Sequence, residues 1–443
     1  MNEQDKIQQL QSAVENLLEE AKRQGADSAE AGVSAQTGLS VTVRLGETET
    51  IEHTSDNGLG ITVFFGNRKG SANTTDLRPD AIRESVAAAC RIARSASEDP
   101  AAGLADPALM ARDIPDLDLY HPWEIDADGA AELARACEEA ARSADARITN
   151  SEGATLYTQR SSFVYGNSHG FVAGYPTTRH SLSCAVIAQQ GDDMQRDYWY
   201  DSGRVAGDID APEHIGSRAA ERALARLGGR KVATLACPVL FRADIAPSLL
   251  RSLFGAIRGH AVYRRSTFLL DAVGSQIFPQ WVTIDEDPLR PRGQASAPFD
   301  NEGVATAHRD LVADGVLQGY LLDSYAARKL GLQSTASAGG VRNASITSTG
   351  QDFEQLLREM DRGVVVTELM GQGSNLVTGD YSRGAAGFWV EHGEIQYPIE
   401  EFTVAGNLRD MYAGLVAVGT DNAIPGSVRT GSWLIDKMTV GGD

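Results

Sequence analysis

The chain has 443 residues, 42% of them hydrophobic and 23% charged, which is enough apolar chain for more than one buried core. A formal net charge of −20 excludes a broad cationic surface for nucleic-acid phosphates, so we expect no direct nucleic-acid partner. No apolar run reaches the roughly 18 residues of a membrane span, and the polar first residues lack the apolar segment of a secretory signal. We therefore expect a cytoplasmic protein without a membrane partner.

The first half of the chain alternates between helical and strand-like patterns. Helical spacing of apolar residues predicts helices at 6–24, 79–95, 127–142 and 212–227. Alternating apolar residues predict antiparallel strands at 41–45 and 61–65 and more of them between 154 and 200. The prolines of segment 98–123 indicate an extended loop. The pair Gly228–Gly229 ends the fourth helix, and we place there the boundary between an N-terminal domain, 1–228, and a C-terminal domain, 229–443.

The second half is rich in glycine and in short β-type runs, and it contains fewer helical patterns. Apolar spacing predicts a half-buried helix over 245–257 and short helices near 323–330 and 353–362. Runs such as 364–367, 387–390 and 402–405 are typical of a curled antiparallel sheet. We therefore predict an α+β protein: an N-terminal α+β domain with an antiparallel sheet and helices, and a C-terminal, mainly antiparallel β domain, barrel-like or sandwich-like.

One segment matches a serine-hydrolase pattern, Gly-x-Ser-x-Gly, at Gly166–Gly170. A nucleophile elbow needs a strand before the serine and a helix after it. Gly174 and Pro176 stand where that helix would run, so we interpret Ser168 as part of a turn between strands.

Two further polar segments were considered as ligand sites. The acidic residues of segments 285–287 and 300–302 could hold a cation, but they lack a calcium-loop spacing and predict solvated turns. The run Gly371–Asn375 lacks the Lys-Ser/Thr ending of a phosphate loop. Its glycines instead favour close approach of a bound peptide or a partner chain beside Asn375, Thr378, Asp380 and Arg383. The aromatic residues Trp281, Phe388 and Trp389 are either interface anchors or core.

Long stretches of the chain, spread over its whole length, carry a family resemblance. They are segments 166–170, 178–183, 259–264, 277–279, 298–303, 375–408 and 436–442. On these segments the chain resembles the TldD/PmbA metallopeptidase family, and most closely its PmbA (TldE) branch. The family fold is similar to the one predicted above.

The resemblance implies that this chain has lost a zinc site. In the catalytic branch, His-Glu-x-x-x-His ends one helix and a distant cysteine completes the site. Here the first two positions fall on Gly255 and Ala256, only His260 remains, and no cysteine follows Cys237. Two ligands five residues apart lie roughly 140° apart around a helix, so the helix must break before the second, and Gly259 fits that break. We expect no metal and no catalytic residue in this degenerate region, 243–260.

The resemblance also implies a function. The chain would be the PmbA-type subunit of a cytoplasmic complex that cleaves small or unfolded polypeptides. A TldD-like partner would carry the zinc and form a heterodimer with this chain, which could form a homodimer when alone. The candidate substrate-cleft or interface residues are His260, Arg264, Asn375, Asp380 and Arg383.

Two other classes of function stay open at this point. The first is a non-enzymatic peptide-binding or regulatory protein, which predicts a genome without a homologue that has the intact zinc motif. The second is a self-sufficient hydrolase whose activity resists chelators and depends on a residue such as Ser168 or His260.

Overall fold

A computed structural model describes residues 3–422 and 426–442. The strands of its N-terminal part are β1 (Ser28–Arg44), β2 (Glu47–Phe65), β3 (Arg68–Thr74), β4 (Ile148–Asn167), β5 (Val172–Gln190) and β6 (Asp193–Gly203). These strands form one sheet in the order β3-β2-β1-β4-β5-β6, and every neighbouring pair is antiparallel.

Four helices cover one face of this sheet. They are α1 (Glu3–Arg23), α2 (Pro79–Ser95), α3 (Ala127–Ser143) and α4 (Pro212–Ala225), and they confirm the four predicted helices. Burial alternates along β1: Ala29, Val33, Val41 and their odd-numbered neighbours are buried, while Ser34 is only half-buried. Successive side chains of a strand point to opposite faces, so the buried side chains all lie on the face that the helices cover. Helices α1 and α2 pack over one end of the strands, and α3 and α4 pack over the other. The opposite face carries an aromatic cluster at one end, where Phe163, Tyr165 and Tyr175 pack with Phe299.

The C-terminal part has many short elements. Its strands are β7 (Leu235–Phe241), β8 (Ile284–Glu286), β9 (Arg309–Ala313), β10 (Val316–Leu317), β11 (Ala344–Ile346), β12 (Gly363–Met370), β13 (Asp380–Glu391), β14 (Glu394–Asn407), β15 (Leu415–Val418), β16 (Val428–Arg429) and β17 (Trp433–Gly441). Its helices are α5 (Pro247–Ala256), α6 (Gly259–Tyr263), α7 (Ser324–Leu330), α8 (Phe353–Met360) and α9 (Leu408–Ala413).

A small closed barrel is the centre of this part. Its strands run in the order β14-β13-β12-β7-β17, and pairing of β14 with β17 closes it. All of these pairs are antiparallel except β7 with β12. A second sheet has the order β10-β9-β8-β11-β16. The predicted fold class is thereby confirmed, whereas the domain boundary at 228/229 stays a prediction.

Helix α5 belongs to the main core of the barrel region. Leu249, Leu253 and Phe254 pack in one buried cluster with barrel residues such as Phe241 and Val366. The Tyr412 hydroxyl donates to the Leu249 carbonyl oxygen at 2.9 Å, which ties α9 to α5. Of the helices within residues 3–422 and 426–442, none combines the length and apolar character needed to cross a membrane.

Candidate functional site

The break between α5 and α6 lies where the sequence predicts it. Helix α5 ends at Ala256, Ile257 leaves the helical conformation, and α6 starts at Gly259. The Gly259 N–H donates to the Leu321 carbonyl oxygen at 2.8 Å. A Cβ on Gly259 would lie only 2.5 Å from the Cβ of Ala326 in α7, so glycine is required for this close packing. His260 in α6 and Arg264, the residue that follows α6, are both exposed.

The two positions before the break contain packed apolar groups. Gly255 lies beneath the side chain of Leu376, because a Cβ added to it would be 2.8 Å from Leu376 Cδ1. Ala256 is fully buried. Neither residue has a side-chain atom that could bind zinc or accept a proton, and Leu376 takes the space beside the first position. The residues of this region therefore do not fit a zinc ion.

Within the described residues, no group of three or more His, Cys, Asp or Glu side chains is arranged to hold a metal. Our expectation that the zinc belongs to a partner chain stays a prediction.

A hydrogen-bonded loop joins Asn375 to Asp380, the first residue of β13. The Asn375 N–H donates to the Asp380 carbonyl oxygen at 2.8 Å, and Asn375 Oδ1 accepts from the N–H of Val377 at 3.0 Å. The Asp380 carboxylate accepts from the Thr378 hydroxyl at 2.7 Å and from Asn407 Nδ2 at 3.3 Å. These bonds give both side chains a role in shaping an exposed loop.

The glycine-rich run makes a close approach to its own chain at Gly373. A Cβ there would lie 1.8 Å from the Ser382 carbonyl oxygen and 2.7 Å from Arg383 Cγ. The run therefore packs on β13 and positions Arg383.

The five candidate residues form two groups. His260 and Arg264 lie one helical turn apart at α6, while Asn375, Asp380 and Arg383 lie along residues 375–383. No hydrogen bond or ion pair joins the two groups in the described part of the chain. Arg264 has no carboxylate partner there and lies over the Tyr263 ring at 5.8 Å.

Arg383 lines a cavity that the sequence did not predict. A cavity of about 280 Å³ separates the N-terminal sheet from the barrel region. We call it the arginine cleft; Tyr198 and Tyr200 of β6 line one side, and Ser248 and Arg251 of α5 and Arg383 of β13 line the other. Its residues come from five segments, 196–200, 222–226, 244–251, 367–369 and 383, and no motif signals their proximity.

Some cations of the arginine cleft are buried in ion pairs. Arg222 bonds to Asp197 at 3.0 Å and to Asp244 at 2.9 Å, and all three side chains are less than a tenth exposed. Burial alone would raise the pKa of Asp244, but hydrogen bonds and charges from Arg242 and Arg222 lower it below its usual value. These groups form a structural network.

Three buried polar atoms near Arg383 and Ser248 lack a partner among the described residues. They are Arg383 Nε and Ser248 Oγ, from the cleft lining, and Tyr381 Oη, from β13. Arg383 donates one bond of 3.3 Å, from Nη2 to the Leu369 carbonyl oxygen. Burial raises the pKa of Tyr381 to about 12, although the neighbouring charge of Arg383 acts in the opposite direction.

Two of the other sequence interpretations are confirmed. Segment 166–170 is the turn between β4 and β5, where Ser168 Oγ accepts the Ala29 N–H at 3.0 Å. Segment 98–123 has no regular element except a short 3-10 turn at Pro107–Leu109.

The solvated-turn prediction for the acidic segments is wrong. Glu286 is 3% exposed, pairs with Arg309 at 2.7 Å and accepts the Arg342 N–H at 2.6 Å. Asp300 is 1% exposed and accepts three backbone N–H groups, and burial raises its pKa to about 6. Glu286 is satisfied by partners on other segments, and Asp300 is satisfied by two N–H groups of its own turn and one from Ala338.

The aromatic candidates are mainly core residues. Trp389 is 5% exposed in the main cluster, and Trp281 packs against the same cluster. Phe388 is half-buried beside a smaller cluster.

Known proteins and family models match nearly the whole chain. The family models for PmbA/TldA metallopeptidase domain 1, the central domain and the C-terminal domain match residues 29–93, 120–227 and 234–442. The metalloprotease PmbA of Escherichia coli O157:H7 is 53% identical over 433 residues, which cover 98% of this chain and 96% of that protein. This chain belongs to the PmbA branch of the PmbA/TldD metallopeptidase family.

Other relatives agree with that membership. The metalloprotease PmbA homolog of Haemophilus influenzae is 47% identical and covers 98% of this chain and 97% of its own. A solved structure from Bacteroides thetaiotaomicron, described as a modulator of DNA gyrase, has a TM-score of 0.93 at 27% identity and covers 98% of both chains. TldE from Thermococcus kodakarensis, at 23% identity and a TM-score of 0.84, covers 97% of this chain and all of its own and supports the fold alone.

Proposed function

We propose that this chain is the PmbA/TldE-type subunit of a cytoplasmic metalloprotease complex in which a TldD-like partner carries the zinc. The observation that carries the proposal is the junction of α5 and α6. It keeps the helix break and His260, but its other two positions are Gly255, beneath Leu376, and the buried Ala256. The chain keeps the helix break and one histidine of a peptidase site, but it lacks the side chains that would bind zinc and accept a proton from water.

In this proposal the chain contributes part of the substrate cleft and binds small or unfolded polypeptides. The outer strands β3 and β6 have one edge that pairs with no other strand in the described part of the chain. An extended peptide can add to such an edge through backbone hydrogen bonds, which depend little on its side chains. That mode of binding suits substrates of varied sequence.

The surface that meets the partner would include α6 and the loop before β13. His260, Arg264, Asn375 and Asp380 are exposed there, and the loop around the last two is held by its own hydrogen bonds. A loop that is ordered before association loses less conformational entropy on binding. When alone, the chain could use the same surface to form a homodimer.

The test is hydrolysis of an unstructured peptide by this chain alone and after mixing with its TldD-like sister, with and without a chelator. We expect cleavage only in the mixture and complete loss with the chelator. Cleavage by this chain alone would contradict the proposal and indicate a self-sufficient hydrolase. A mixture that forms no complex and cleaves nothing would favour a non-enzymatic binding protein.

A further inference from the structure

The arginine cleft has an excess of positive charge in a strongly acidic chain. Five arginines line it against three carboxylates, Asp197, Asp244 and Glu368. Those carboxylates are bound to Arg222 and Arg226 within the cleft, and Arg196 pairs outside it with Glu152. The remaining cations are Arg251 and Arg383, and neither has a carboxylate within ion-pair distance among residues 3–422 and 426–442.

The unpaired arginines lie beside unpartnered hydroxyl and N–H groups. Ser248 precedes Arg251 by three residues on α5, so both side chains lie on the same side of the helix. Ser248 Oγ and Arg383 Nε are buried and have no hydrogen-bond partner in the part of the chain that the structure describes. A buried polar atom without a partner is energetically costly. Both residues line the cavity, and rotation of their side chains toward it would bring these two atoms to a ligand that accepts several hydrogen bonds.

The opposite wall of the cleft suits an organic ligand. The Tyr198 and Tyr200 rings stack with their centroids 6.3 Å apart, which gives an aromatic surface beside the two arginines. Burial and the neighbouring Tyr198 raise the pKa of Tyr200, while the charges of Arg251 and Arg179 act in the opposite direction. Tyr200 therefore stays a neutral hydrogen-bond donor at physiological pH.

We propose that the arginine cleft is a subsite for a peptide carboxylate, with Arg251 and Arg383 as its cations and Ser248 and Tyr200 as neutral donors. Guanidinium groups bind carboxylates through paired, charge-assisted hydrogen bonds. The C-terminal carboxylate of a short peptide is the ligand to which we commit, because β6, which supplies the tyrosines, is also an edge strand that can pair with the peptide backbone. This assignment rests on the proposed peptide-binding function.

The experiment measures binding of one fluorescent unstructured peptide to the purified full-length chain, as the free acid and as the C-terminal amide. We expect the acid to bind about tenfold more tightly than the amide, consistent with about 1.4 kcal/mol from charge-assisted bonds. Arg251→Ala with Arg383→Ala should abolish this preference. Because Arg383 is partly buried, the single variant Arg251→Ala, at an exposed position, serves as the second test and should reduce the preference at least threefold.

The matched control is Arg91→Ala, which removes an exposed arginine from α2, on the helix-covered side of the N-terminal sheet. It should keep the full preference for the acid. A third peptide, amidated but with an internal aspartate, identifies the source of the carboxylate, and tight binding of it would assign the subsite to acidic side chains. Equal affinity of the wild-type chain for all three peptides would overturn the proposal.

A cleavage assay with the TldD-like sister separates this inference from the proposed function. If the mixture cleaves acid and amide peptides with the same kcat/KM and the same KM, the carboxylate subsite is refuted while the complex stands. If the mixture cleaves no peptide, the proposed complex fails, whatever the binding preference of the single chain.

Discussion

Helix α5 meets different surroundings at its two ends. At its C-terminal end, Gly255 lies beneath Leu376, and Ala256 is fully buried. Near its N-terminal end, Ser248 and Arg251 face a charged cleft that contains unpartnered polar atoms. The C-terminal end is packed like a hydrophobic core, whereas the other end is built like a binding surface.

If the chain is the non-catalytic subunit that we propose, core packing and ligand binding are properties of opposite ends of one helix. Apolar packing at Gly255 and Ala256 stabilises the chain, so nothing there needs a ligand. The arginine cleft differs from this apolar packing. Its unpaired polar groups lower the free energy of unfolding unless a ligand binds them. Substitutions at the two ends should therefore affect different properties.

The largest effect is expected from restoring a catalytic-type residue at the packed end. Ala256→Glu places a carboxylate in a fully buried position of the apolar core cluster. We expect a loss of about 4 kcal/mol or more in the free energy of unfolding, or failure to fold. Urea unfolding measures it, with Arg258→Glu as the exposed control on the same segment. A folded Ala256→Glu protein of wild-type stability would show that this end is not core.

The next prediction compares the loss of stability when an ion-paired group of the cleft is changed with the loss when an unpaired arginine is changed. Asp244→Asn breaks the buried bonds to Arg222 and Arg242 and should cost about 3 kcal/mol. Arg251→Ala, at an exposed and unpaired position, should change stability by less than about 0.5 kcal/mol. Thermal and urea unfolding of both variants give the comparison. Similar losses in both would contradict the division into structural and binding arginines.

The same carboxylate gives a pH dependence with a defined sign. The folded-state pKa of Asp244 is lowered, so its ion pairs contribute stability above its unfolded pKa of 3.8. That contribution is lost as the pH falls below 3.8 through the folded pKa. The stability gap between wild type and Asp244→Asn should therefore be constant from pH 7 to 5 and shrink only in stronger acid. A gap that widens as the pH falls would contradict this assignment.

A smaller effect tests the contact between Gly255 and Leu376. Replacing a helical glycine with alanine usually stabilises by about 1 kcal/mol. At Gly255 the new Cβ would meet Leu376 Cδ1 at 2.8 Å, so this gain should be absent. In a Leu376→Ala background the gain should return, which a double-mutant cycle measures as a coupling of about 1 kcal/mol. Additive effects of the two substitutions would show that Leu376 does not cover this position.

The smallest effect on stability is expected beyond the helix break. Arg264 is exposed and has no ion pair in the described part of the chain, so Arg264→Glu should change the free energy of unfolding by less than about 0.5 kcal/mol. If α6 meets the TldD-like partner, the same change should weaken heterodimer formation severalfold in size-exclusion titrations. Equal loss of stability and assembly would argue against Arg264 as an interface residue.

Local patterns predicted most of the elements around the site. The apolar spacing at Leu249, Leu253 and Phe254 predicted α5, and Gly259 predicted the break before His260. Both signals are local, because helical periodicity and glycine punctuation act within a few residues. The resemblance supplied the positions Gly255 and Ala256.

Contacts between distant segments could not be predicted in the same way. Leu376 covers Gly255 from a far loop, and the arginine cleft joins β6, α5 and β13. The error at Glu286 has the same cause. An acidic run suggests exposure, but Arg309 and a backbone N–H from another segment satisfy the buried carboxylate. Residue type alone does not reveal a partner that only the fold brings near.

The most direct test of the difference between the two ends of α5 is a single binding titration in a chelator. The purified chain, without added metal and without its sister, is mixed with the free-acid peptide, and both bound and cleaved peptide are measured. The account predicts saturable binding and intact peptide. Absence of binding in the chelator, or cleavage by the lone chain, would contradict it.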